Sequence, residues 1–298
     1  MSCTTQSFYE PVTGTVTHVV VDPATRRCAI IDSVLDFDVR AGRMFSKSAQ
    51  AVVDWVKAHE LEVEWLLETH AHADHLSGAP WLQRQVGGRI AIGAHITQVQ
   101  RTFGVLLNAP DVLSYDATPE HQPFDRLFQD DEVFHIGTLP VQVWHTPGHT
   151  PACVSYVVGE AGDPAGQDVF VGDTLFMPDY GSARCDFPGG SARALYRSTR
   201  RLLSLPAATR LHLCHDYPPP GRGPQWLCTV ADQRARNVHL HDGIDEEAFV
   251  HLRETRDATL GAPNLLWPSI QTNVRAGHLP PEEATGRRFM KIPIEDRT

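Results

Sequence analysis

The sequence predicts an α/β sandwich, two mixed β-sheets packed face to face and flanked by helices on both outer faces. Three observations predict it. β-rich runs alternate with helical stripes through the first hundred residues, as in an α/β fold. The second half runs strands and then helices again. Short clusters of histidine and aspartate lie just beyond several strands, as expected if the loops gather at one edge of the sheets.

Residues 15–21 (TVTHVVV) and 28–34 (CAIIDSV) are rich in β-branched side chains. Between them lies Asp22-Pro23-Ala24-Thr25, where proline presets φ and aspartate caps the turn, so the pair predicts a hairpin. Ala49, Val52, Val53 and Val56 fall at i, i+3, i+4 and i+7, the apolar stripe of a surface helix. Strand character returns over 61–68, followed by a helix over 79–86, a strand over 89–93 and a helix over 95–107. Residues 108–137 are rich in Pro, Asp and Gln and show little periodicity, which leaves a lid and a packing loop both open. Strands are expected over 141–144, 153–158, 169–172 and 210–214, with a helix over 192–203. The run Pro218-Pro219-Pro220-Gly221 continues neither element, and helical patterns resume over 229–238 and 246–257. The whole chain, 1–298, reads as one domain with a core over about 15–217 and a helical extension over about 218–298.

Composition narrows the function. With 42% hydrophobic and 21% charged residues the chain is an ordinary globular protein. A net charge of −10 and the lack of any Lys/Arg run argue against nucleic acid as a partner. No stretch approaches the roughly 18 apolar residues of a membrane span, and the start MSCTTQSFYE has neither an apolar signal core nor a transit-peptide character. A cytoplasmic location is expected. The 6 cysteines, at 3, 28, 153, 185, 214 and 228, form no C-x-x-C pair, so neither a disulfide framework nor a thiolate zinc knot is indicated. The 16 histidines cluster in a few short polar segments.

The first cluster is His70-Ala71-His72-Ala73-Asp74-His75, directly after a strand. In extended backbone, positions two apart point the same way, so His70, His72 and Asp74 can converge while His75 reaches round from the turn. Imidazole and carboxylate are the ligand types that suit zinc and iron. A polar capping loop is the plainer reading, but only alanine separates the ligand-type residues. The second cluster is Pro147-Gly148-His149-Thr150, where a lone histidine would by itself be a turn residue. The third is Gly172-Asp173-Thr174, whose aspartate could equally cap a helix, and the fourth is Cys214-His215-Asp216-Tyr217. His145, at a strand end, reads as structural.

H-x-H-x-D-H, then PGHT, then GDTLF, then His215, in this order and spacing, resembles the metallo-β-lactamase superfamily, with the match running from about residue 15 to 217. Within it, the stretch 179–190, containing ARCDFPGG, followed by LYRS and HDY, most resembles the persulfide dioxygenases. That resemblance implies one Fe(II) per chain held by His70, His149 and Asp173, with His72, Asp74, His75 and His215 around it. It also implies that Arg184 and Tyr217 contact glutathione while Asp186 supports Arg184. The implied substrates are glutathione persulfide and O2, giving sulfite and glutathione. Two imidazoles and one carboxylate on one face of iron leave three positions open, the arrangement of non-haem oxygenases. Guanidinium can grip a carboxylate with two hydrogen bonds, which makes arginine a sensible anchor.

A rival reading uses the same seven residues for two zinc ions, with Asp173 bridging, in a glutathione-thioester hydrolase resembling glyoxalase II. A second rival is a non-catalytic iron sensor, and a thiol mechanism at Cys185 is a third. A homodimer is the default for a soluble oligomer. No rhodanese-like segment is visible, so a sulfurtransferase partner would be a separate protein. Persulfides of coenzyme A or cysteine stay open as alternative substrates.

Overall fold

The computed structural model describes residues 3–117, 119–160, 167–294 and 296. The chain begins with three antiparallel strands, β1 (Thr4–Glu10), β2 (Thr15–Val21) and β3 (Arg27–Ile31). β4 (Val34–Asp38), β5 (Arg43–Phe45) and α1 (Lys47–Ala58) lead to β6 (Glu62–Leu67). A two-residue strand, β7 (Leu76–Ser77), precedes α2 (Ala79–Val86), β8 (Arg89–Gly93), α3 (Ile96–Leu106), α4 (Pro110–Ala117) and β9 (Arg126–Phe128). The second half holds β10 (Val133–Ile136), β11 (Leu139–His145), β12 (Val154–Val158), β13 (Asp168–Phe170), α5 (Ala192–Leu203), β14 (Arg210–His212), β15 (Leu227–Thr229), α6 (Val230–Arg236), α7 (Glu246–Asp257) and α8 (Leu266–Asn273).

Two six-stranded mixed sheets result, one ordered β1-β2-β3-β6-β8-β9 and the other β10-β11-β12-β13-β14-β15. Alternation along each strand sorts side chains between layers. Val20, Ala29, Ile31 and Leu67 face Val141, Val143, Tyr156 and Phe170 in the core between the sheets. Val19, Val21, Cys28 and Ile30 point the other way, into the layer of α1 to α3. All four stripe residues of α1, Ala49, Val52, Val53 and Val56, are buried there. Behind the second sheet, Val169, Val171 and Leu211 meet Leu195, Leu202 and Phe249 of α5 and α7. The αββα sandwich of the metallo-β-lactamase fold is therefore the architecture observed.

The sheets reach past both expected limits of the core, because β1 pairs with β2 at one end and β15 with β14 at the other. Among the described residues the segment 108–137 packs against the core rather than lining the cavity, and it is more regular than a loop. It supplies α4, β9 and β10, with Val112 and Phe124 buried against the first helical layer. Among the described residues no helix is long and apolar enough to cross a membrane.

The topology delivers the clusters to one place. β3 and β6 run parallel, as do β13 and β14, and β11 has the same direction as β13 because both pair antiparallel with β12. The carboxyl ends of β3, β6, β11, β13 and β14 thus open onto one edge, carrying Asp32, His70 to His75, His149, Asp173 and His215. β2 runs the other way, so its first residue, Thr15, sits at that edge and bridges to His215.

Candidate metal centre

Two glycines let the ligand loops close. Gly148 has φ +146, and a Cβ there would lie 2.3 Å from Cα of Leu195 in α5. Gly172 has φ +52, and its Cβ would meet Thr69 Oγ1 at 2.5 Å. Only glycine brings the Pro-Gly-His turn onto α5 and the Gly-Asp turn onto the end of β6 without a clash. The strand expected over 169–172 ends at Phe170, because Gly172, Asp173 and Thr174 form a 3-10 turn that swings the aspartate inward. Likewise β14 stops at His212, and the three residues after it carry His215 to Thr15.

His70, His149 and Asp173 each offer a ligand atom, and these lie within 4.8 Å of one another. Asp173 Oδ2 is 3.8 Å from His70 Nε2 and 3.6 Å from His149 Nε2. The other nitrogen of each ring is already committed. His149 Nδ1–H donates to the Arg184 carbonyl at 2.7 Å, and a carbonyl can only accept. Thr69 Oγ1 spends its proton on Asp32 Oδ2 at 2.9 Å, so it accepts from His70 Nδ1–H at 3.0 Å. Both Nε2 atoms therefore carry lone pairs facing Asp173. Burial, reinforced by the neighbouring His72 and His149, holds the His70 pKa well below the ordinary histidine range and keeps that lone pair free.

His72 is held differently. Its Nε2–H donates to Asp32 Oδ1 at 3.0 Å and lies 3.2 Å from Glu68 Oε2. Burial opposes charging this ring, but the Asp32 and Glu68 carboxylates outweigh it and raise its pKa well above the ordinary value. The remaining atom, Nδ1, has no hydrogen-bond partner.

A second group, His72, Asp74, His75 and His215, lies alongside. His215 Nε2 is 3.4 Å from Asp74 Oδ2 and 3.5 Å from Asp173 Oδ1. The Nδ1 atoms of His75 and His215 share one hydroxyl, Thr15 Oγ1, at 3.2 and 3.4 Å. Burial opposes ionisation of Asp74, yet the His215 and His75 rings hold its pKa well below the ordinary carboxylate value. His70 Nε2, His75 Nε2, His215 Nε2 and Asp173 Oδ1 are buried without partners. Buried polar atoms are almost always satisfied, so this convergence of empty nitrogen and oxygen donors fits a bound metal ion.

Three residues essential to this geometry were not singled out from the sequence. Asp32, fully buried at the end of β3, accepts from Thr69 N at 2.7 Å, from Thr69 Oγ1 and from His72 Nε2. It thus orients His72 directly and His70 through Thr69. Glu68 takes the Ser77 hydroxyl at 2.5 Å beside His72. Asn273, at the end of α8, donates Nδ2 to the His72 and His75 carbonyls at 2.8 Å each and accepts Ser77 N at 2.9 Å. An aspartate ending a β-rich run was a usable signal for Asp32, but nothing local pointed to Asn273.

Above the ligands lies a cavity of about 240 Å³ whose wall includes His149, Asp173, Phe176, Tyr180, Arg184 and Tyr217. Tyr217 stacks on His215 with ring centroids 5.6 Å apart and planes 6° from parallel. Asp186 supports Arg184 more completely than expected, since Nε and Nη2 each bind one of its oxygens at 2.6 Å. Arg184 Nη1 donates to the Gly261 carbonyl at 2.7 Å. Three of the five N–H groups of Arg184 are thus engaged, two of them by Asp186. Cys185 is buried, and burial together with the Asp257 charge pushes its thiol pKa up, which leaves it a thiol and a poor nucleophile. His145 is structural, stacked on His95 at 4.0 Å and hydrogen-bonded to the Pro151 carbonyl.

Comparison with known proteins agrees with this geometry. The family model described as the metallo-beta-lactamase superfamily matches residues 12–215. A probable metallo-hydrolase of Burkholderia pseudomallei is 52% identical over 98% of this chain and 99% of its own length. A protein named glyoxylase B2, from Dictyostelium discoideum, is 46% identical over 96% of this chain and 95% of its own. The human mitochondrial persulfide dioxygenase ETHE1 is 24% identical over 91% of this chain and 88% of its own. Among solved structures, ETHE1 from Myxococcus xanthus superposes with a TM-score of 0.70 at 25% identity, covering 92% of this chain and all of that one.

Proposed function

The chain belongs to the metallo-β-lactamase superfamily and carries its metal-binding site, and from that premise we propose that it is a persulfide dioxygenase with one Fe(II) per chain on His70, His149 and Asp173. The observation that carries this reading is the unequal anchoring of the ligands. His70 and His149 each have Nδ1 fixed by a bond of 3.0 Å or less and present Nε2 to one oxygen of Asp173. His75 and His215 share a single hydroxyl at longer range, and Asp74 Oδ2 already sits 3.4 Å from His215. Rigid orientation of ligands by outer hydrogen bonds raises metal affinity, so the first set is the one prepared to hold an ion. The likeness to ETHE1, named a persulfide dioxygenase, supports the dioxygenase reading.

His70, His149 and Asp173 would hold the iron, which would supply the redox chemistry between the persulfide sulfur and O2. The chain's own residues prepare that reaction. Thr69 and the Arg184 carbonyl fix the two imidazoles. Asp32 accepts the His72 Nε2–H, with Glu68 beside it, and so fixes that ring. Phe187, edge-on to His149 at 5.3 Å, and Phe176, edge-on to His215 at 6.1 Å, line the cavity with apolar surface and restrict water. One glutathione persulfide, one O2 and one water give glutathione, sulfite and two protons. The outer sulfur loses four electrons and O2 gains four, so no further reductant is required.

The unpartnered His75 Nε2 and His215 Nε2 favour a second reading, two metal ions sharing Asp173 in a glutathione-thioester hydrolase. The relative named glyoxylase B2 lends it weight. Oxygen uptake with glutathione persulfide, accompanied by equimolar sulfite, supports the dioxygenase. Thioester cleavage without oxygen uptake would overturn it.

A further inference from the structure

Among the described residues three arginines line the cavity, and two of them are paired with a carboxylate. Arg184 gives Nε and Nη2 to the two oxygens of Asp186 and Nη1 to the Gly261 carbonyl. Arg253, 1% exposed, binds Asp257 Oδ1 through Nη2 at 2.7 Å and through Nε at 2.9 Å, and the Ser182 carbonyl through Nη1 at 3.1 Å. Arg253 ties α7 to Ser182, and Arg184 ties its own segment to Gly261 just beyond that helix. Arg256, one turn further along α7, is exposed on the cavity wall, and among the described residues its guanidinium has no carboxylate or carbonyl partner. It lies beside the Tyr180 ring, with the guanidinium carbon 5.7 Å from the ring centroid.

Charge gives this arginine a role. The protein carries −10, and the cavity floor holds Asp74 and Asp173. An anionic substrate approaching such a surface needs a local cation at the entrance. A cation in the last turn of a helix is favourable in its own right, but that effect does not require a position on the wall of this cavity. An unpaired guanidinium with an aromatic ring beside it is a ready receptor for a carboxylate.

We propose that Arg256, with Tyr180 beside it, anchors a carboxylate of the thiol substrate, and that Arg184 instead braces the wall through the Gly261 carbonyl. The assignment rests on the reading that the pocket takes a glutathione-type thiol. It makes the substrate class anionic, with the charge bound at the mouth and the sulfur directed toward His149 and Asp173.

Titration calorimetry of the anaerobically purified, metal-loaded protein tests it with two probes, glutathione and its diethyl ester. Arg256 lies on an exposed helix face, so Arg256→Ala is expected to fold and to keep its metal. The expected results are glutathione affinity about tenfold weaker in Arg256→Ala, partial recovery in Arg256→Lys, and a glutathione-over-ester preference that shrinks in the alanine variant. Unchanged affinity and preference in Arg256→Ala, while Arg184→Ala loses both, would overturn the anchor and leave the proposed function standing. Failure of the wild-type protein to bind glutathione at all would overturn the anchor together with the glutathione reading beneath it.

Discussion

The two sides of Asp173 are built from the same residue types and are held to different standards. On the Oδ2 side, His70 and His149 each give Nδ1–H to a committed acceptor, at 3.0 and 2.7 Å. On the Oδ1 side lies His215, which with its neighbour His75 leans on one threonine at 3.4 and 3.2 Å, His75 Nδ1 also lying 3.4 Å from Asp74 Oδ2. Ligand type alone does not separate these sides, since both offer imidazole and carboxylate. What separates them is the hydrogen bonding behind the rings, and the proposal of one metal rather than two rests on that difference.

The comparison breaks most visibly through activity. His149→Ala removes a fixed ligand and is expected to lower oxygen uptake by about a thousandfold or more, whereas His75→Ala is expected to cost about tenfold or less. Equal losses would show that both sides of Asp173 serve the reaction.

Acid acts on stability away from both sides. Burial, aided by the Arg253 and Arg256 charges, lowers the His239 pKa from 6.5 to about 4. Burial also lowers that of His18 from 6.5 to about 3. A folded state that prefers neutral histidine has its full stability above about pH 6.5 and loses it as the pH falls toward the folded pKa. The loss for His239 alone is on the order of 3 kcal/mol by pH 4. Urea midpoints that stay flat from pH 7 to pH 4 would contradict this.

The brace on the first histidine loop is testable at a slightly smaller scale. Asn273→Asp keeps the acceptor for Ser77 N but turns a charged oxygen toward the His72 and His75 carbonyls. A stability loss of about 2 kcal/mol is expected, with a tenfold or greater fall in metal affinity measured by competition with a chelator. Lost stability with intact metal affinity would reduce Asn273 to packing. The smallest effect is expected from Cys185→Ala, with oxygen uptake within about twofold of wild type and stability lower by about 1 kcal/mol. A large loss of turnover there would reopen a thiol mechanism.

Much of this was legible in the sequence because the signals are local. The hairpin of β2 and β3, the apolar stripe of α1, and the helices α2, α5 and α7 each carry their own periodicity or turn chemistry. The ligand clusters were visible because each follows a strand within a few residues. What escaped is long-range or short. β15 spans three residues, too few for any period, and β7 spans two. Asn273 lies 201 residues from His72, and α8 looks like any short helix until its last residue meets the loop. Arg184 was recognisable as a cavity residue, but its bidentate pairing with Asp186 depends on side-chain geometry that spacing does not encode.

The central claim is that one side of Asp173 holds the metal. Iron and zinc content per chain, measured after anaerobic purification for wild type, His149→Ala and His215→Ala, tests it most directly. The expected result is about one iron in the wild type, kept in His215→Ala and lost in His149→Ala. Two metal ions in the wild type, one of them removed by His215→Ala, would contradict it.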